Sequence, residues 1–208
     1  MSIAAPAAED GAAMTIFHLL RHGEHAMQGK ICAGRMAGIG LSARGRGEAE
    51  AAAGRLAGCG IGSIYASPLD RTRETAGILA ARFGLEVALR DELAELDFGE
   101  WTGLPFDAIR ADPRWLPWRE HRSLAQIPGG ETMRQVQRRI VELMLELRER
   151  HPDDAVLLVS HGDVIRAALA FALGMPLDLF TRIEVATGSV STVRIDHQGI
   201  RVVALNLR

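Results

Sequence analysis

Lysine is almost missing from this 208-residue chain: Lys30 stands alone, and every other basic side chain of the lysine–arginine kind is arginine. A bare arginine therefore signals little here, and position has to carry the argument. Cysteine is nearly as scarce. Cys32 and Cys59 are far apart and form no C-x-x-C pair, which excludes a disulfide framework and suits a reducing, cytoplasmic setting. No apolar run reaches the length of a membrane helix, so no membrane partner is expected. A formal net charge of −2 leaves no general basic surface for nucleic acid. The metal-binding patterns are missing too: there is no H-E-x-x-H, no Cys/His cluster and no spaced aspartates of a calcium loop. Lys30 follows no phosphate-binding glycine loop, and nothing reads G-x-S-x-G. No cofactor and no metal are expected.

What is present is a soluble globular composition, 48% hydrophobic and 24% charged, at a length that suits one domain. Residues 1–13 are alanine-rich, carry Glu9 and Asp10 and lack a basic start, so they read as a loose tail and not as a signal peptide. From residue 14 onward, strands and helices alternate. Thr15–Leu20 is a buried strand ending at Arg21-His22-Gly23. Ser42 caps a helix over about Ala43–Ala57, closed by Gly58. Ile61–Ala66 is a second strand, followed by a helix with Ala76, Leu79, Ala80 and Phe83 on one stripe and Gly84 as its stop. Gly130-Glu131-Thr132 opens a long helix with Met133, Val136, Ile140, Leu143, Met144 and Leu147 on its apolar face. Ala155–Val159 is a third strand, ending in Ser160-His161-Gly162 before a helix to Leu173. Strand-like stretches follow at about Arg182–Val185, Val190–Ile195 and Ile200–Leu207.

This alternation predicts an α/β three-layer sandwich: a mostly parallel central sheet, helices on both faces and antiparallel edge strands. About 101–128 breaks the pattern, holding all three tryptophans and four prolines, and is expected to be an inserted lid or side segment.

The polar residues that matter fall at strand ends: Arg21-His22, Ser67 to Arg71, and Ser160-His161. Open parallel sheets bind ligands at the carboxyl ends of their strands. If the three strands are neighbours, two imidazoles and two guanidinium forks meet in one crevice suited to a phosphoryl dianion. A neutral imidazole is a competent nucleophile toward phosphorus when its other nitrogen is held by a hydrogen bond. An acid for the leaving oxygen is available in Glu92–Glu100, with Glu95 and Asp97 as candidates.

Read in order, Leu20-Arg21-His22-Gly23-Glu24, Gly34-Arg35, Leu41-Ser42-x-x-Gly45, Ser67-Pro68-Leu69-x-Arg71-x-x-x-Thr75-Ala76, Glu95-Leu96-x-Phe98-Gly99-x-Trp101-x-Gly103, Gly129-Gly130-Glu131-Thr132 and Ser160-His161-Gly162 resemble the histidine phosphatase superfamily, the phosphoglycerate-mutase-like proteins. The resemblance covers nearly the whole chain from Met14. It implies that His22 is phosphorylated in turnover, that Arg21, Arg71 and His161 hold the phosphoryl oxygens, and that Glu95 is general acid and then base. It places Gln28 as a further phosphate contact. His25 departs from the pattern, which usually has Thr or Ser there.

The compact stretch between Glu95 and His161 points to the phosphatase branch, acting on a small phosphorylated metabolite. A phosphoglycerate-type mutase and a non-catalytic phosphate-binding module are the alternatives. A homodimer is compatible with this reading. Glu24 is expected to brace its turn, the tryptophans to staple segment 101–128 to the core or to meet substrate, and His18, His25, His121, His151 and His197 to be structural.

Overall fold

The computed structural model describes residues 13–208; nearly all of the segment read as a tail lies outside the described residues. Six strands form one sheet: β1 (Thr15–Arg21), β2 (Ile61–Ala66), β3 (Val87–Leu89), β4 (Ala155–Ser160), β5 (Val190–Asp196) and β6 (Gly199–Leu207), in the order β3-β2-β4-β1-β5-β6. Strands β3, β2, β4 and β1 run parallel; β5 and β6 are antiparallel and close one edge. The helices are α1 (Ala43–Leu56), α2 (Asp70–Phe83), α3 (Phe106–Ala111), α4 (Trp115–Glu120), α5 (Met133–Arg150) and α6 (Gly162–Ala172).

The two-residue period of the strands separates two cores. Phe17 and Leu19 of β1 and Val156 and Leu158 of β4 face the layer that holds α5 and α6. Leu20, Leu157 and Val159 face the opposite layer, where Ala49, Ala52, Ala53 and Leu56 of α1 and Ala76, Leu79 and Ala80 of α2 pack. Alternate side chains point to opposite faces, so apolar runs without polar interruption are what a sheet covered on both sides requires. Helix α5 is the amphipathic element its sequence predicts: all six residues of the stripe are buried, and Thr132 and Gln135 form a reciprocal capping box at its start.

One strand is present that was not expected, and one expected strand is absent. Val87–Leu89 pairs with β2 as a short parallel edge strand that three residues are too few to announce. Arg182–Val185 is not a strand: Leu177–Arg182 forms a 3-10 helix, and the following residues join no ladder. Ile183 and Val185 are buried like strand residues, but their carbonyls accept from side chains, Ile183 from Arg166 Nε (3.0 Å) and Val185 from Arg21 Nη1 (2.7 Å).

Segment 101–128 contains α3 and α4 and is tied down by its aromatics. Trp101 and Trp118 are both buried, their rings meet edge to face at 5.5 Å, and Trp115 packs beside both. Arg122 lies over Trp118 with its Cζ 3.9 Å from the ring centroid. The tryptophans therefore staple this segment to the core.

Candidate active site

The strands expected to converge are adjacent, β2-β4-β1, and they end level: Arg21 pairs with Ser160, Ala66 with Val159, and the next amides continue the ladder, His22 N to Ser160 O at 3.0 Å and Ser67 N to Val159 O at 3.1 Å. Their tips form the floor of a cleft of about 270 Å³.

His22 sits on that floor in a turn that only glycine permits. A Cβ on Gly23 would lie 2.2 Å from Gly45 O, and one on Gly45 would lie 2.0 Å from Glu24 O. The R-H-G turn thus packs backbone to backbone against the first turn of α1, which explains why both motifs need glycine there. Gly23 N donates to Thr75 Oγ1 (3.1 Å), whose hydroxyl donates back to Arg71 O (2.7 Å), so α2 holds the turn from the other side. Glu24 braces it as expected, accepting from the Ser42 hydroxyl at 3.0 Å.

The His22 and His161 rings have centroids 5.1 Å apart, and both are buried. His22 Nδ1 lies 2.8 Å from Gly23 O, an acceptor only, so Nδ1–H donates and the Nε2 lone pair is left available. Burial, reinforced by Arg21 and Arg71, holds His22 well below the ordinary histidine range and therefore neutral. Burial and Arg71 do the same to His161.

Each arginine is anchored by one donor and leaves others unused. Arg71 Nη2 donates to Gly34 O (2.7 Å) and Arg21 Nη1 to Val185 O (2.7 Å). Arg71 Nε and Nη1, Arg21 Nε and His161 Nδ1 are buried and have no protein partner. Buried polar nitrogens are almost always satisfied in folded proteins, so such a cluster on one crevice needs an explanation, and a tetrahedral oxyanion would supply one. The amino end of α6, at Gly162 and Asp163, lies on the same cleft and favours an anion further.

Glu95 lines the cleft, where it keeps some exposed surface but is otherwise enclosed by protein. Burial, then the nearby Asp163 carboxylate, push it up to about 7 against the opposing pull of the Leu96 N–H, Arg71 and Arg21. Glu95 is thus available as a proton donor near neutral pH. Its loop is clamped from outside. Arg35 donates to Glu95 O (2.7 Å) and pairs with Glu131 (2.7 Å); Glu131 accepts from Asp97 N (3.1 Å) and pairs with Arg139 Nε (3.0 Å). Glu131 of the G-G-E-T motif therefore steadies the loop that carries Glu95.

Gln28 lines the cleft and is exposed; His25, expected to be structural, lines it too, buried with its Nδ1 unpartnered and its ring centroid 5.5 Å from that of His22. Burial and the two arginines lower His25 to about 4. All six site residues predicted from sequence, Arg21, His22, Gln28, Arg71, Glu95 and His161, gather at this one crevice, with His161 beneath its surface.

Four further lining residues were not expected from sequence: Asp163 and Arg166, which form a 3.0 Å ion pair on the cleft wall, and Phe98 and Phe106, which add apolar surface. Asp163 follows Ser160-His161-Gly162 directly, which is the one signal that could have flagged it. The tryptophans do not line the cleft. Of the expected structural histidines, His18 is buried in β1 with Nδ1 3.1 Å from Thr192 Oγ1. Among the described residues no group of three or more His, Cys, Asp or Glu is arranged to hold a metal ion, and no helix is long and apolar enough to cross a membrane.

Comparison with known proteins agrees with this geometry. A family model described as the histidine phosphatase superfamily (branch 1) matches residues 17–208. Phosphoserine phosphatase 1 of Hydrogenobacter thermophilus is 30% identical over 80% of this chain and 80% of its own. A Salmonella newport protein named "Probable phosphoglycerate mutase GpmB" is 29% identical over 87% of this chain and 84% of its own. The native structure of a mycobacterial glucosyl-3-phosphoglycerate phosphatase is similar with a TM-score of 0.83 at 30% identity, covering 94% of this chain and all of that one. Mycobacterial relatives at 33% identity are longer, and the chain spans about half of their length, 52%.

Proposed function

The chain belongs to branch 1 of the histidine phosphatase superfamily, and from that premise we propose that it hydrolyses a small phosphomonoester through a phosphohistidine on His22. The observation that carries the reading is the set of unpartnered buried nitrogens on Arg21, Arg71 and His161 beside the free nitrogen of His22. The relatives named as phosphatases of small phosphorylated metabolites support the same class of substrate.

In the first step, Nε2 of neutral His22 attacks phosphorus as the bond to the leaving oxygen breaks, and Glu95 gives its proton to that oxygen. The charge on the three remaining phosphoryl oxygens is met by Arg21, Arg71 and His161, donors already in place before reaction. In the second step, Glu95, now a carboxylate, takes a proton from water as the water oxygen bonds to phosphorus and the N–P bond breaks. Phosphate leaves, and His22 and Glu95 return to their starting states. Gln28 reaches the outer rim of the phosphoryl site, and residues 101–128, with Phe98, set the shape of the leaving-group side.

We read residues 14–208 as a single catalytic domain. His22→Ala is expected to abolish turnover of 4-nitrophenyl phosphate while retaining inorganic phosphate binding, and the parent is expected to trap an acid-labile phosphoryl group on His22. Hydrolysis by His22→Ala near the parent rate would refute the assignment. The mutase relative keeps a second reading in view: primer-dependent transfer of phosphate between positions of a phosphoglycerate, without release of inorganic phosphate, would favour it.

A further inference from the structure

Ser67 follows the last residue of β2 and opens the Ser67-Pro68-Leu69 turn. Its side chain is completely buried, as is His161, and Ser67 Oγ lies 2.8 Å from His161 Nε2. We propose that Ser67 is a positioning residue for phosphoryl transfer, its hydroxyl donating to Nε2 of His161 and so fixing the ring in the tautomer that carries its proton on Nδ1. The proposal rests on the phosphatase reading for its kinetic consequence, though the tautomer itself can be read without it.

The assignment follows from counting hydrogens. A serine hydroxyl has one hydrogen and two lone pairs. Pro68 has no N–H, and the Leu69 N–H approaches Oγ at 3.4 Å, so one lone pair has a weak donor. Among the described residues the one acceptor hydrogen-bonded to Ser67 Oγ is His161 Nε2. Were the ring to donate from Nε2, the serine hydrogen would be stranded in a fully buried site, which hydrogen-bonded interiors avoid. His161 Nδ1 would then turn a lone pair toward the phosphoryl oxygens and repel them. With the serine donating, the hydroxyl is satisfied and Nδ1–H becomes a donor with no protein partner, ready for an anionic oxygen.

The serine is itself held firmly. Its N–H donates to Val159 O of β4 (3.1 Å) and its carbonyl accepts from Thr72 Oγ1 of α2 (3.0 Å), so the hydroxyl is aimed from the end of β2 at the end of β4. The tautomer matters because His161 is neutral: burial together with Arg71 and Arg21 disfavours the cation, which would have donated from both nitrogens. Without Ser67 the ring is free to carry its proton on either side.

The test uses the full chain labelled with ¹⁵N, with ring nitrogens read by two-bond ¹H–¹⁵N spectra in the presence and absence of inorganic vanadate. His161→Gln identifies the signals by their loss. The parent is expected to show a protonated Nδ1 and an unprotonated Nε2, and Ser67→Ala a mixture. With 4-nitrophenyl phosphate, Ser67→Ala is expected to lower kcat by about 10- to 100-fold with KM changed less than about 3-fold, a smaller loss than a tautomer error at a triad histidine produces. Ser67→Thr, or Ser67→Cys with its weaker S–H donor if the extra methyl is not accommodated, is expected to recover part of that loss. A parent whose Nε2 carries the proton, or a Ser67→Ala protein with the parent's tautomer and kcat, would overturn the proposal. Failure of the parent to hydrolyse any phosphomonoester would refute the phosphatase reading instead, leaving the vanadate spectra to decide the tautomer.

Discussion

The floor of the cleft and the wall that carries Glu95 hold their side chains by different means. On the floor, His22, Ser67 and His161 follow directly on three adjacent strands, and hydrogen bonds along the sheet place them within one residue of their neighbours. On the wall, Glu95 lies in a loop between two 3-10 turns, and its position depends on Arg35, Arg139 and Glu131, which reach it from far along the chain. The floor is therefore rigid because the sheet is rigid, whereas the wall is only as rigid as a few ion pairs. A phosphoryl group is the same in every substrate of this class and suits the first arrangement; the leaving group differs and suits the second.

Four experiments test whether floor and wall divide the work in this way. The largest effect is expected from Glu95→Gln on an alkyl phosphate, a fall in kcat of about 10²–10⁴ from loss of the proton donor. The same variant should lose much less with an aryl phosphate, whose leaving oxygen needs little protonation; equal losses on both substrates would remove Glu95 as the acid. Arg71→Ala should cost about 10²–10³ on alkyl and aryl substrates alike, since it serves the phosphoryl group common to both. A loss confined to one substrate would move Arg71 from the floor to the wall in function.

Glu131→Ala is expected to be milder, about 10-fold in kcat, and greater for alkyl than for aryl phosphates, because it acts by loosening the Glu95 loop. Uniform losses, or none, would separate Glu131 from the acid. The last test is the pH profile of kcat/KM. His22, held well below its ordinary range, must lose a proton to attack, so its limb lies in acid; Glu95, raised to about 7, must keep one, so activity should fall as pH rises through that value. Glu95→Gln should abolish this upper limb while leaving the lower one in place.

The same contrast explains what could be read from the sequence. Each floor residue closes an apolar run, so hydrophobic periodicity located Arg21-His22, Ser67–Arg71 and Ser160-His161 before any geometry was known. Whether those ends met depended on strand order, β2-β4-β1, which hydrophobic periodicity does not give. Glu95 could not be separated from Asp97 by charge or period; the family pattern chose it, and burial beside Asp163 gives that choice a physical basis. The Glu131 clamp spans 34 residues to Asp97 and 96 to Arg35, and no local spacing announces a contact of that kind. Arg182–Val185 misled because burial alternates there as in a strand while its carbonyls are taken by arginines, and β3 escaped because three residues show no period.

All three tryptophans stand within 18 residues of one another in segment 101–128, and their rings are in mutual contact. Intrinsic indole fluorescence therefore comes from that one part of the molecule, with the Arg122 cation lying against one emitter. The protein carries its own optical reporter: a change in emission on adding a phosphorylated compound reads the wall, and silence beside measurable inhibition reads a ligand seated on the floor alone.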